Sequence, residues 1–355
     1  MPVTGSAPNL SSLFFHVTND CNQQCIHCWV DAGYAARKTG SLLSADECAT
    51  LVRQACELGL QSVKVTGGEP LLRPDVTVRI VQEASRLGLF STVETNATLL
   101  TEEMASRLAG AGLSEICISL DTHRPEVYAH IRRGSVGLEQ VAANIGRAMR
   151  HGLRVTTLTA VFATTIDDIE ETCTYVLETL GVSTARISPC VPMGRARTGE
   201  RLALSSSELK ALAERLVRLA ERYPRRVATI LPWSLVNPAS AVVQIRCRFT
   251  EILGVMPNGD VSVCGIGLGH PEAVLGNIRR STLQEIWVDS PALERLRTAT
   301  ARDFKGVCGR CVLAAHCANV CPAMSYEIYG NLLGPCPMCE QLLQDGLFPE
   351  ELLVR

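Results

Sequence analysis

Between residues 13 and 188, short runs rich in β-branched and apolar residues alternate with longer segments whose apolar positions recur at helical spacing. The short runs predict strands at 13–18, 62–66, 91–95, 115–120, 154–162 and 185–188, and the longer segments predict helices at 45–58, 76–87, 102–109, 138–151 and 166–180. Six β/α units in succession predict an α/β fold with a parallel sheet and helices outside. Periodicity alone leaves an open sheet and a curved partial barrel as alternatives. In both, the ligand site falls at the C-terminal ends of the strands.

After residue 188 the pattern changes. A polar, glycine-containing stretch at 194–207 leads out of the β/α region, a helix is expected at 208–223, and proline-punctuated sequence runs to Pro238. A hairpin at 252–256 and 261–264 is turned by Pro257, Asn258, Gly259 and Asp260, where the Asn-Gly pair is the signal. From Cys308 to Cys339 there are too many Cys, Gly and Pro residues for an ordinary helical core. The expected division is therefore 1–200 for the β/α domain, 201–240 for a linking helix and loop, and 241–355 for a cysteine-rich domain.

Composition narrows the classes of function. A formal charge of −2 and the absence of a Lys/Arg stripe argue against nucleic acid as a partner. No apolar run reaches the roughly 20 residues needed to cross a bilayer, and the N-terminus lacks the order of a secretory signal, so a cytoplasmic protein without a membrane partner is expected. Sixteen cysteines in a reducing compartment point to metal rather than to disulfides. Five of them, Cys48, Cys56, Cys117, Cys173 and Cys190, are scattered, and most of these are expected to be packing residues.

Cys21, Cys25 and Cys28 lie on one loop directly after the first strand. Three thiolates so spaced can hold three irons of a [4Fe–4S] cube and leave the fourth open. A zinc knuckle would need a fourth ligand nearby, and His27, between two of the thiols, is badly placed to close a tetrahedron. The second strand runs into Gly67, Gly68, Glu69 and Pro70, followed in order by Glu94, Thr95 and Asn96 at the third strand end, Ser119, Leu120 and Asp121 at the fourth, and Arg133 with Gly134. On these residues the sequence resembles the radical S-adenosylmethionine (SAM) superfamily.

The resemblance implies a partial (β/α)6 barrel, an open iron chelated by the amino and carboxylate groups of SAM, and reductive cleavage of SAM to a 5′-deoxyadenosyl radical. It implies that Gly67, Gly68, Glu69 and Pro70 hold the SAM amino group, that Asn96 and Asp121 belong to the SAM site, that Ser119 lies near the ribose, and that Arg133 meets the carboxylate, with Arg132 as its substitute. The glycine-rich turn is expected to matter to SAM and little to stability. An external electron donor such as flavodoxin or ferredoxin is implied as a partner.

A second motif lies beyond residue 240. Cys247 is followed by eleven residues, Gly259, four residues and Cys264; then come Cys308, Cys311, Cys317 and Cys321 at intervening spacings of two, five and three, and Cys339 seventeen residues later. This is similar to the SPASM domain, which carries two auxiliary [4Fe–4S] clusters. The resemblance implies that Cys247, Cys264 and Cys321 serve one cluster and that Cys308, Cys311, Cys317 and Cys339 serve the other. Cys336 is left over: it replaces Cys339, completes the first set, or binds nothing. A zinc ribbon is the competing reading for 308–321.

Relatives of this type include peptide maturases, sulfatase activators, haem-modifying enzymes, and dehydrogenases or epimerases of sugars and aminocyclitols. The first cluster loop begins 21 residues into the sequence, which leaves little expectation of a fused peptide-recognition domain. Sulfatase activators resemble one another in having Asp where Gly265 follows Cys264. Cys190 falls just past the sixth strand, on the ligand face, and is the candidate hydrogen donor to a substrate radical. The expected activity is oxidation or epimerisation at a carbinol carbon of a small polar natural-product intermediate. A crosslinking peptide maturase with a separate recognition partner is the alternative, and a non-catalytic iron–sulfur carrier is the alternative of another class.

Overall fold

The computed structural model describes residues 9–32, 41–197, 202–317 and 321–354. Six parallel strands, β1 (Ser12–His16), β2 (Ser62–Thr66), β3 (Phe90–Thr95), β4 (Glu115–Ser119), β5 (Val155–Val161) and β6 (Thr184–Pro189), lie side by side in chain order. The crossovers carry α1 (Ala45–Glu57), α2 (Pro74–Arg86), α3 (Glu102–Gly110), α4 (Pro125–Arg132), α5 (Leu138–Arg150) and α6 (Ile169–Thr174). Parallel crossovers are right-handed, so strands added always on the same side place every helix on one face. The other face is left as the concave lining of a partial barrel.

Period-two alternation separates these faces. Val63 and Val65 of β2, Val93 of β3, Ile116 and Ile118 of β4, and Ala185 and Ile187 of β6 are buried in the main apolar core. Their neighbours Lys64, Glu94, Cys117, Ser119, Arg186 and Ser188 turn the opposite way, toward the lumen. Helix starts are fixed locally. Ser44 and Glu47 form a capping box before α1, a device worth roughly 1 kcal/mol.

The chain continues through α7 (Ser206–Arg222), capped by Ser205 and Glu208, and then β7 (Val227–Thr229) and β8 (Val243–Gln244), which extend the sheet beyond β6. The expected hairpin is present as antiparallel β9 (Ile252–Val255) and β10 (Asp260–Ser262), followed by β11 (Val274–Asn277). β9 pairs in parallel with β1, so the cysteine-rich region and the barrel share one eleven-stranded sheet. The expected single helix at 166–180 is divided into a 3-10 turn, α6 and a π-helical turn at Tyr175–Thr179. α4, absent from the sequence reading, is set by Pro125 in its first turn and ended by Arg133 in the left-handed conformation, φ 48°. No helix among the described residues is long and apolar enough to cross a membrane.

Candidate active site

The loop after β1 brings Cys21, Cys25 and Cys28 to one wall of a cavity of about 380 Å³ at the C-terminal ends of the strands. Neighbouring elements fix the loop. The Ile26 amide donates to the Ile131 carbonyl at 3.0 Å, and the Cys28 carbonyl accepts from the Arg195 amide at 3.0 Å. The Arg195 guanidinium donates to the carbonyls of Cys25 (2.9 Å) and Ala32 (2.6 Å). The segment after β6 thus clasps the cysteine loop. Burial pushes the Cys21 thiol up to about 12. It also raises Cys25, against the opposing pull of Arg132. Crowded, desolvated thiols of this kind ionise when a metal cluster supplies the compensating charge. Among the described residues no three His, Cys, Asp or Glu side chains sit close enough together to grip a single ion. The donor set, three thiols lining one wall of the cavity, fits a cluster.

The turn after β2 is bonded to the same loop, Gly68 and Glu69 donating their amides to the carbonyls of Thr18 (2.7 Å) and Asp20 (2.8 Å). A β-carbon on Gly68 would lie 2.0 Å from the Asp20 oxygen, so this approach excludes any side chain. Gly67, Gly68 and Glu69 line the cavity. Pro70 is buried at the start of a 3-10 turn and is not among the lining residues. Glu69 is 1% exposed; its carboxylate accepts from Leu71 N (3.0 Å), Thr95 Oγ1 (2.7 Å) and Asn96 N (2.9 Å). Burial raises its pKa against the pull of these donors, and a bound ammonium would supply the missing counter-charge.

This changes one expectation. Glu69 is structural as well as cavity-facing, because it joins the ends of β2 and β3. Glu69→Ala is expected to leave three donors without an acceptor, each costing roughly 1–3 kcal/mol when buried, and to lower thermal stability as well as SAM affinity. Glu69→Gln keeps an acceptor for Leu71 N and Thr95 Oγ1 but none for Asn96 N, so it should lose less stability than the alanine variant while also losing SAM affinity. Thermal denaturation and equilibrium SAM binding on both variants check this, and an unchanged melting temperature in the alanine variant would contradict it.

Asn96, Ser119 and Asp121 also line the cavity. The Asn96 amide bonds Asn22 Oδ1 at 2.9 Å and reaches toward Cys21 Sγ at 3.9 Å. Asp121, buried, accepts from the Ala160 amide (3.0 Å) and pairs with Arg132 (2.7 Å). Arg132 is buried in the cavity wall, with Nη1 3.8 Å from Cys25 Sγ. Arg133 is exposed, beyond the end of α4, and does not reach the cavity. The left-handed turn swings Arg133 outward, away from the position expected of it, and it is Arg132, its expected substitute, that stands in the wall.

Cys190 is 8% exposed, lines the cavity, and has its thiol pushed up to about 12 by burial. Cys264 and Cys321 stand in the same wall. Cys247 is not among the lining residues but lies within their electrostatic reach: burial and the neighbouring sulfurs of Cys321 and Cys264 raise its pKa. A second, small cavity is lined by Cys308, Cys311, Cys317, Cys336 and Cys339, with Ser234. The Cys336 amide donates to Cys308 Sγ at 3.2 Å, and Ser234 Oγ is 3.3 Å from Cys339 Sγ. Cys336 and Cys339 thus face the same site, and five thiols surround it. Cys117, one of the five scattered cysteines of which most are expected to pack, stands in the wall, as do His27, Trp29 and Met324, which no motif singles out. Strand alternation on β4 carried the signal for Cys117.

The family profile described as the radical SAM superfamily matches residues 15–176, and that described as an iron–sulfur cluster-binding domain, SPASM, matches residues 247–312. A probable GTP 3′,8-cyclase of Methanopyrus kandleri is 34% identical over 256 residues, 71% of this chain and 80% of that protein. The chain belongs to the radical SAM superfamily. Its C-terminal part is a SPASM domain, and its cofactors are [4Fe–4S] clusters and SAM. An AdoMet-dependent heme synthase of Methanosarcina barkeri is 25% identical over 347 residues, 94% of this chain and 97% of that protein. Among solved structures, Streptococcus suis SuiB bound to S-adenosylmethionine superposes with a TM-score of 0.66 at 17% identity, covering 84% of this chain and 69% of its own. This likeness supports the fold of the radical SAM enzyme.

Proposed function

We propose that this radical SAM enzyme abstracts hydrogen from a carbinol carbon of a small polar natural-product intermediate, a sugar or aminocyclitol, and oxidises or epimerises it. One observation carries the reading: the SAM-side loops, Cys190 and the auxiliary-side Cys264 and Cys321 open onto one cavity of about 380 Å³, within the range of small-molecule sites. The curated relatives named for heme and GTP chemistry support a non-peptide substrate. Bound clusters supply one-electron chemistry and SAM the primary carbon radical.

The chain's own residues do the rest. The Gly67–Glu69 turn and the Asp121–Arg132 pair orient the amino acid part of SAM. Cys21, Cys25 and Cys28 would hold the SAM-binding cluster; Cys247, Cys264 and Cys321 one auxiliary cluster; and Cys308, Cys311 and Cys317, with Cys336 or Cys339, the other. Oxidation to a ketone would need a one-electron acceptor, the chemistry that a cluster held by Cys247, Cys264 and Cys321 would supply, with the hydroxyl proton passing to solvent. If Cys190 returns a hydrogen atom to the opposite face, the epimer results and a thiyl remains, restored by one electron and one proton.

Cys190→Ala tests this branch. Under epimerisation the variant should still consume the substrate hydrogen, incorporate no solvent deuterium and release an oxidised product. The wild-type product at the wild-type rate, without solvent deuterium in either protein, would assign the reaction to oxidation. For the reading as a whole, 5′-deoxyadenosine formation by the reduced enzyme should accelerate at least about tenfold with the right sugar or aminocyclitol from a panel, a change of 1.4 kcal/mol. Acceleration by peptides alone would overturn it in favour of a peptide maturase.

A further inference from the structure

Lys64, midway along β2, pairs with Glu94 of β3 at 2.9 Å and lies 4.2 Å over the ring of Phe14 on β1. Strand register carries this pair to the C-terminal cysteines. Phe14 stands opposite Lys64 on one side and opposite Gly254 of β9 on the other. Gly254 packs against the Cys264 backbone so tightly that a β-carbon would fall 1.4 Å from the Cys264 carbonyl oxygen. Glu94 stands opposite Cys117 of β4, lines the cavity, and keeps 24% of its side-chain surface there. The pair therefore has a direction, with its ammonium toward Cys264 and its carboxylate toward Cys117.

The electrostatics agree with that direction. Burial raises the thiols of Cys264 and Cys247; Lys64 pulls both back, and at Cys264 Glu94 adds only a smaller upward push. Burial also raises Cys117, and there Glu94 pushes further upward. His16, also on this lumen face, is 2% exposed with both ring nitrogens unpartnered, and burial followed by Lys64 holds its pKa down to about 4. A neutral ring thus sits beside a fixed cation.

We infer that the Lys64–Glu94 pair sets the reduction potential of the auxiliary cluster assigned to Cys247, Cys264 and Cys321, with the ammonium end favouring its reduced state. This rests on the assignment of those three thiols to a cluster. The electron given up by an oxidised carbinol radical, whose hydroxyl proton goes to solvent, adds one negative charge at that site. A cation held at the wall by a short ion pair stabilises the added charge, and with Lys64 28% and Glu94 24% exposed the cavity screens it in part. Lys64 keeps its proton throughout and is not among the residues lining the cavity, so it is a tuning residue and not a catalytic one.

The test is a potentiometric EPR titration of the reconstituted full chain, with iron counted, for wild type and for Lys64→Met, Lys64→Arg, Glu94→Gln and the Lys64→Met/Glu94→Gln double variant. In Lys64→Met the reduced-to-oxidised ratio of the auxiliary signal at a fixed ambient potential should fall roughly tenfold, which is 59 mV for a one-electron couple. Glu94→Gln should move it the other way, Lys64→Arg should stay near wild type, and the double variant should fall between the two single ones. The signal perturbed by SAM should move less in every case. Shifts of the same sign in Lys64→Met and Glu94→Gln, or no shift in either, would overturn the inference. If Lys64→Met sheds iron, the near-isosteric Glu94→Gln and the charge-conserving Lys64→Arg still decide it by their shifts. Wild-type protein showing only the SAM-perturbed signal would instead remove the cluster assignment underneath.

Discussion

Joint replacement of Cys21, Cys25 and Cys28 by alanine is expected to remove about four irons, one cube's worth, and to abolish SAM cleavage. The three thiols lie on one loop, held from one side by the Gly68 and Glu69 amides and from the other by Arg195. Those contacts are made through backbone carbonyls, so the alanine variant retains them and should remain folded. Iron lost and cleavage lost together, with near-wild-type circular dichroism, would match the account. Full iron content in the triple variant would show that these thiols hold no cluster.

The second large effect is expected at the far end of the molecule. Replacing Cys308 and Cys311 together should remove about four further irons and stop product formation, while 5′-deoxyadenosine is still released without product. Cys308 is buried, accepts the Cys336 amide, and shares its small cavity with Cys311, Cys317, Cys336 and Cys339. The main cavity, with the residues around SAM, is lined by none of these five. Metal ligation supplies folding energy at such sites, so the uncoupled reaction is to be read on the soluble, monodisperse fraction. Full product from that fraction would make this cluster structural only. Single Cys336→Ala and Cys339→Ala variants then separate the two candidates for the last ligand: the one that ligates should destabilise the auxiliary signal, and the other should leave it intact.

The parts of this site that could be read from the sequence are those in which the chemistry is written in consecutive residues. The cysteine loop, the Gly67–Pro70 turn and the Asn96 position each follow a strand whose alternation is plain, and a parallel architecture puts strand ends at the ligand face. What could not be read depends on contacts between distant residues. The expectation that Glu69 matters little to stability rests on its loop position; its donors Thr95, at the end of β3, and Asn96, just beyond it, are distant in sequence and announce themselves in no local pattern. The choice between Arg132 and Arg133 turns on one left-handed residue at the end of a helix too short for its period to be seen. The pairing of β9 with β1 joins segments about 240 residues apart, which no local pattern announces. Cys117 and Lys64 face the lumen by simple alternation, yet what they face there became visible only with β3 and the Cys264 loop in place.

Isotope transfer shows whether hydrogen leaves a carbinol carbon for the 5′-deoxyadenosyl radical. Candidate sugars or aminocyclitols carrying deuterium at each carbinol carbon in turn are incubated with the reduced, reconstituted enzyme and SAM, and the 5′-deoxyadenosine is analysed by mass spectrometry. The account predicts that deuterium from a single carbinol position appears in 5′-deoxyadenosine, in proportion to product. Product formed with unlabelled 5′-deoxyadenosine from every carbinol position, or deuterium arriving only from a labelled peptide, would contradict it.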